Sequence, residues 1–278
     1  PSGLHDDYIL SIAELDKDRL LIGTLSNGLA IFNKNTEQFI YYKNDPDKPL
    51  SLSHNRIYEI YKDNEGVIWV GNWQDLQRFN PSTGEFTTIE GIPIPKCILQ
   101  EDKNHLWIGT RENGLFLYDK QTGKKQQYLY DAEDAGSIPS NDVYSLTMDQ
   151  DKVLWIGTKR GLCRLNVSRT EFNRYTVEDG LPSNWICGLE TDEANNIWIS
   201  TVNGLSRYND RTDDFSNYDI LDGLQSNEFE GFVSLKTRDG HILFGGRKGF
   251  NMFLPQNIID NTNKPEIVVT GFKLYNKE

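Results

Sequence analysis

Two tryptophans and five cations are the residues in this chain best suited to recognition chemistry. Trp73 and Trp185 fall in polar stretches between apolar runs, where an exposed indole can stack on a sugar ring or simply pack against a neighbouring element. Arg56, Arg111, Lys159, Arg160 and Arg247 also fall in connecting stretches, where they can meet carboxylates or sulfates or stand as ordinary solvated turn charges. Catalytic chemistry has no comparable support. The four histidines, His5, His54, His105 and His241, form no His-x-x-x-His or Ser-His-Asp arrangement, and no phosphate loop or Gly-x-Ser-x-Gly is present. Asp63, Asp102, Asp149 and Asp192 look like calcium ligands in isolation. They recur once per repeat on separate turns, so turn capping is the expectation. Cys97, Cys163 and Cys187 are an odd number at scattered spacing, which is neither a disulfide framework nor a metal site. Cys97 and Cys187 are expected at equivalent repeat positions, alongside Tyr58 and Tyr144. No catalytic residue, metal or cofactor is expected.

The elements that must position these residues are set by repetition. An apolar pair, Gly-Thr or a near variant, and then Gly-Leu return six times, at Leu21-Ile22-Gly23, Trp69-Val70-Gly71, Trp107-Ile108-Gly109, Trp155-Ile156-Gly157, Trp198-Ile199-Ser200 and Leu243-Phe244-Gly245. The spacings are 48, 38, 48, 43 and 45 residues. That is the length of one four-stranded blade, so the expected fold is all-β, a β-propeller with six repeats visible. In the fourth repeat Val143–Met148 alternates as an innermost strand. Val153–Gly157 and Leu162–Asn166 are the next two strands, and Phe172–Tyr175 is the outermost. The second strands centre on Leu21, Trp69, Trp107, Trp155, Trp198 and Leu243, with the tryptophans buried between blades. Residues that recur in every blade are scaffold. The turns between second and third strands, and the entries to the innermost strands, differ from copy to copy and share one face. Arg56, Trp73, Arg111, Lys159, Arg160, Trp185 and Arg247 occupy those positions and are expected to ring one end of the channel.

A formal charge of −12 and a pI near 4.9 argue against general nucleic-acid binding. No apolar run approaches the ~20 residues of a membrane span. The start at Pro1-Ser2-Gly3-Leu4, in mid-pattern, predicts a piece of a longer protein. We expect a propeller over 1–255, a polar linker over 256–264, and a truncated strand-rich unit over 265–278.

Gly180-Leu181-Pro182-Ser183-Asn184-Trp185-Ile186 and Asn203-Gly204-Leu205-Ser206-Arg207-Tyr208-Asn209 closely resemble the two-component regulator propeller repeat, and the resemblance covers about residues 4–255. The second copy departs from it, with Asn72-Trp73-Gln74-Asp75 where Thr-x-x-Gly is expected, and the third lacks the Leu-x-Ser-Asn lead-in. The segment from Pro265 resembles the opening of the immunoglobulin-like domain that follows such propellers. In that family two consecutive seven-bladed propellers, an immunoglobulin-like domain and a membrane helix precede kinase, receiver and DNA-binding modules. Six repeats here leave a six- or seven-bladed ring open.

The resemblance implies the periplasmic sensor region of a hybrid two-component system controlling glycan-utilisation genes. The fragment itself would be non-catalytic, touch neither membrane nor nucleic acid, and bind an oligosaccharide with the rest of the ectodomain, in a homodimeric parent. Two alternatives stand beside it. A propeller lyase would need His54 with a metal and an acid such as Glu228. A protein-interaction scaffold would need neither.

Overall fold

In a computed structural model, which describes residues 3–6 and 8–259, the chain forms a six-bladed β-propeller of antiparallel sheets. Each sheet runs from the channel outward in sequence order. The first comprises Ile9–Glu14, Arg19–Thr24, Leu29–Asn33 and Gln38–Tyr42. The second comprises Ile57–Lys62, Ile68–Asn72, Asp75–Asn80 and Glu85–Pro93, and the third Pro95–Gln100, His105–Thr110, Leu115–Asp119 and Lys125–Tyr128. The fourth comprises Val143–Met148, Leu154–Thr158, Gly161–Leu165 and Phe172–Tyr175, within one residue of the sequence expectation. The fifth comprises Ile186–Thr191, Ile197–Thr201, Gly204–Asn209 and Asp214–Tyr218. The sixth has three strands among the described residues, Phe229–Lys236, Ile242–Gly246 and Gly249–Phe253. The expected unit at 265–278 lies outside the described residues, as does the linker beyond 259. Among the described residues no helix is long and apolar enough to cross a membrane.

The repeated tryptophans lock each blade onto the next. Trp69, Trp107, Trp155 and Trp198 are at most 2% exposed. Trp69 packs edge-on against Tyr118, Trp155 tilts against Tyr208, and Trp198 tilts against Phe253, each in the following blade. A buried indole must also satisfy its N–H. Trp69 Nε1 donates to Asp63 at 3.0 Å, Trp155 to Asp149 at 2.9 Å and Trp198 to Asp192 at 2.9 Å. The same carboxylates accept turn amides, from Val67, Val153 and Asn196. The recurrent aspartates are therefore turn caps and indole latches at once. The third blade breaks the rule. Asp102 turns to His105 at 2.9 Å, and buried Trp107 Nε1 has no acceptor among the described residues.

Glycine after the tryptophan reflects a close approach between blades. A Cβ on Gly157 would lie 2.7 Å from Ile186 Cγ2 of the next blade. In the fifth blade the small residue moves across the pair, with Gly188 opposite Ser200.

Five apolar clusters fill five seams, between blades one and two through to five and six. Among the described residues none joins blade six to blade one. A cleft of about 490 Å³ separates them, lined by Ile9, Ile12, Leu235 and Phe250, which are exposed, and by Leu243 at the tryptophan position. An ion pair between exposed Arg238 and Glu14 at 3.1 Å bridges it. Such a pair is worth about 0–1 kcal/mol, so this seam is held far more weakly than the others.

Trp155→Ala should therefore destabilise the fold by about 3–5 kcal/mol in urea unfolding, the range for truncating a buried aromatic. Leu21→Ala should cost about 2–5 kcal/mol, since Leu21 is fully buried. Leu243→Ala should cost clearly less than Leu21→Ala, although the atoms removed are the same. Equal losses at the two leucines would show that the sixth seam is as well packed as the first.

Candidate functional site at the channel mouth

Main-chain hydrogen bonds hold one face of the ring together. In five blades the first residue of the turn after the second strand donates its N–H to the carbonyl that precedes or opens the innermost strand. The pairs are Leu25 to Tyr8, Trp73 to Arg56, Arg111 to Ile94, Lys159 to Asp142 and Val202 to Trp185, at 3.0–3.4 Å. Because only backbone is used, the side chains there are free to vary. This bond is why Arg56 lies beside Trp73.

The lead-in Ser-Asn has a structural cause as well. Asn55, Asn141, Asn184 and Asn227 accept backbone N–H groups from Asn44, Tyr130, Val177 and Ile220 at 2.7–2.9 Å, folding each connector back on itself. Ser140, Ser183 and Ser226 cap the amides of Asp142, Trp185 and Glu228. His54 takes the serine's place in the second blade, its Nδ1 accepting from Arg56 N at 3.0 Å. That capping bond accounts for the one histidine a lyase reading could use. Among the described residues the group suited to a metal is Glu101, Asp102 and His105, on the opposite turns, and Glu101 is already paired with Arg169.

Sequence reasoning missed what the innermost strands contribute. Each carries a β-bulge where it enters the sheet, so one extra residue is turned out of the ladder. The extra residues are Leu10, Tyr58, Lys96, Tyr144 and Cys187. This corrects the expected alignment of Cys97: the position matching Tyr58, Tyr144 and Cys187 is Lys96, and Cys97 is paired in the ladder opposite Gly109. In the sixth blade the bulge is larger, with Glu230 to Val233 all lying opposite the single Gly245. Within it Phe232 adopts φ 70°, a conformation costly for a bulky L-residue.

That bulge carries Phe232 across the axis. Its ring stacks on Tyr144 of blade four at 5.3 Å and tilts against Tyr58 of blade two at 6.3 Å. Lys96 Nζ lies 3.9 Å from the Tyr144 centroid and 5.4 Å from that of Phe232. A continuous aromatic and cationic string extends outward from this point. Tyr58 meets Trp73, over which Arg56 and Arg111 lie at 4.6 and 4.8 Å, and Tyr144 meets Trp185, over which Lys159 lies at 5.1 Å.

Five of the seven residues singled out from sequence, Arg56, Trp73, Arg111, Lys159 and Trp185, thus belong to this string. Arg160 lies at its margin, over Tyr130, and shares a cavity of about 480 Å³ with Lys159 and Asp142. Arg247 is taken up by its own blade, with Glu228 at 3.1 Å and Glu230 at 3.2 Å. The two tryptophans differ. Trp73 is half-buried under two guanidiniums and Tyr58, so it holds cations in place. Trp185 is 37% exposed and presents a usable face.

Glu59 follows the bulge residue Tyr58 and lines the cleft between the first and sixth blades. Burial pushes its carboxyl up to about 8, and pushes Glu190 up to about 7. The unfolded chain releases these protons near the ordinary glutamate range, whereas the folded chain keeps them to higher pH. Their contribution to stability is therefore complete below about pH 4.5 and is lost as pH rises through 7 and 8. The urea midpoint should fall across that window, and Glu59→Gln should flatten the upper part of the decline. A profile unchanged by the substitution would mean that Glu59 ionises freely.

Residues 51–74 and 137–160 match the family model for the two-component regulator propeller. The chain is 25% identical to histidine kinase P4 of Formosa agariphila over 295 aligned positions, covering all of this chain and 18% of that protein. Two solved structures share the fold. The extracellular domain of the hybrid two component system BT3049 from B. thetaiotaomicron superposes with a TM-score of 0.68 at 19% identity, over 90% of this chain and 40% of that one. PorZ, a surface component of the type-IX secretion system of Porphyromonas gingivalis, gives 0.66 at 16% identity, over 88% and 38%. The chain thus spans less than half the length of each of these proteins.

Proposed function

We propose that this array of two-component regulator propeller repeats is the ligand-sensing part of an extracytoplasmic sensor domain, periplasmic and without chemistry of its own, in a parent histidine kinase of a hybrid two-component system. The observation that carries the reading is the aromatic and cationic string at the channel mouth. It draws side chains from the second, third, fourth and sixth blades, plus Trp185 ahead of the fifth, onto a face whose backbone framework repeats in five of the blades. An oligosaccharide suits it: Trp185 offers a face for a sugar ring, while Arg56, Arg111 and Lys159 offer donors for its oxygens. Binding would alter blade or dimer geometry, and the parent protein would relay that change to transcription of glycan-utilisation genes. The likeness to a histidine kinase, of which this chain covers 18%, supports this assignment.

A glycan array probed with the intact extracytoplasmic region tests the reading. Trp185→Ala should weaken binding about ten-fold or more, the equivalent of one lost stacking contact of 1–3 kcal/mol. The unfolding midpoint should move far less than in Trp155→Ala, because Trp185 is 37% exposed and Trp155 is fully buried. Undiminished affinity in that variant would remove the site from this face. Metal-dependent cleavage of an offered substrate would favour the lyase reading instead.

A further inference from the structure

Lys96 is a buried cation with too few partners. It is 5% exposed, on a bulge that turns it out of the ladder and toward the axis. An ammonium group has three donors to satisfy. Its one polar contact within reach among the described residues is Asp142 Oδ1 at 3.5 Å, the outer limit for a hydrogen bond, and that oxygen is itself buried without a hydrogen-bond partner. The ring faces of Tyr144 and Phe232 supply the rest of its surroundings. A buried charge held this loosely is costly to the fold. A well-packed structural pair would close to below 3 Å, as Lys120 does with Asp63 and Glu65.

The cover over Lys96 is the unusual element. Phe232 reaches it only through the enlarged bulge at Glu230–Val233, on a backbone conformation that favours glycine. Glu230 and Val233 are exposed, and Glu230 is paired with the exposed Arg247, so this segment faces solvent on one side. Beyond it the mouth holds Arg56 and Arg111 on Trp73, and Lys159 on Trp185.

We propose that Lys96 is the seat for an anionic substituent of the ligand, a carboxylate or sulfate on a saccharide, and that the Phe232 bulge is the lid over it. This rests on the sensor reading above and narrows its ligand class to acidic glycans. The anionic group enters as Phe232 swings out, and it supplies Lys96 with the short charge-assisted hydrogen bonds that Asp142 does not. The outer cations attract the ligand, and Lys96 distinguishes acidic from neutral.

The probes are oligogalacturonate and a sulfated galactan oligosaccharide, each with its neutral counterpart, carboxyl-reduced or desulfated, titrated calorimetrically into the intact extracytoplasmic region. We expect the acidic member of at least one pair to bind more tightly. Lys96→Met should lower that affinity about ten- to hundred-fold, the loss of about 1.4–2.7 kcal/mol of charge-assisted hydrogen bonding. The neutral counterpart should be unaffected, and Lys96→Arg should keep the preference. Phe232→Gly, which relieves the backbone and removes the lid, should raise the association rate for the acidic probe. An acid preference that survives Lys96→Met overturns the seat, and an association rate unchanged in Phe232→Gly overturns the lid. Equal binding of acidic and neutral probes by the unaltered protein overturns the ligand class while leaving the sensor reading standing. Failure of every glycan to bind overturns both.

Discussion

A four-stranded blade has two apolar faces and cannot bury either alone. At three of the five packed seams the contact that solves this is an indole from one blade set into the next and latched by its own turn aspartate. The contact works in one direction round the ring: Trp69, Trp155 and Trp198 each reach forward to an aromatic residue of the following blade. Each indole buries on the order of 150–250 Å², and the carboxylate removes the penalty of hiding its N–H. Blades one and six both carry leucine at this position. Leu21 is fully buried against blade two, whereas Leu243 lines the open cleft and the face of blade one it would meet stays exposed.

With the seams settled by residues at mid-sheet, the two ends of each blade are released from structural duty. On the mouth side the remaining order comes from main-chain bonds and from the Ser-Asn lead-in, which tie turn to strand entry whatever side chains are present. That separation lets a repetitive scaffold carry a non-repetitive site. Trp73 in one blade corresponds to Arg111, Lys159 and Val202 in others at no cost to the backbone geometry.

The parts of this arrangement visible in the sequence are those with a period. The tryptophans, the glycines after them and the turn acids recur at blade length, so the second strands, the four strands of the fourth blade and the burial of the tryptophans followed from them. That turns and strand entries share a face followed from the up-and-down order, and it brought Arg56, Trp73, Arg111, Lys159 and Trp185 into consideration. The bulges were invisible because one added residue leaves an alternating apolar pattern readable in either register. Lys96 was passed over and Cys97 aligned one place out for that reason. His54 and Trp73 carry features that the sequence does not show. Both looked available by residue type, but one is a turn cap and the other is covered by guanidiniums, and neither fact has a one-dimensional signature.

The Phe232 bulge brings scaffold and site into energetic contact. It joins blade six to blades two and four across the axis, in a ring whose seam between six and one has no apolar core among the described residues. Its aromatic contacts with Tyr144 and Tyr58 are worth about 0.5–1.5 kcal/mol each, and the approach of Lys96 adds a similar amount. The left-handed backbone at Phe232 costs about 1–3 kcal/mol. These sums nearly cancel, so the covered and uncovered mouths lie close in free energy. A ligand with a differential affinity of only a few kilocalories could shift such a balance. Uncovering the mouth would also release the axial tie on the sixth blade, which, like the first, is held by a packed seam on a single side. The element most easily displaced by a ligand is thus also the one whose displacement the rest of the ring resists least.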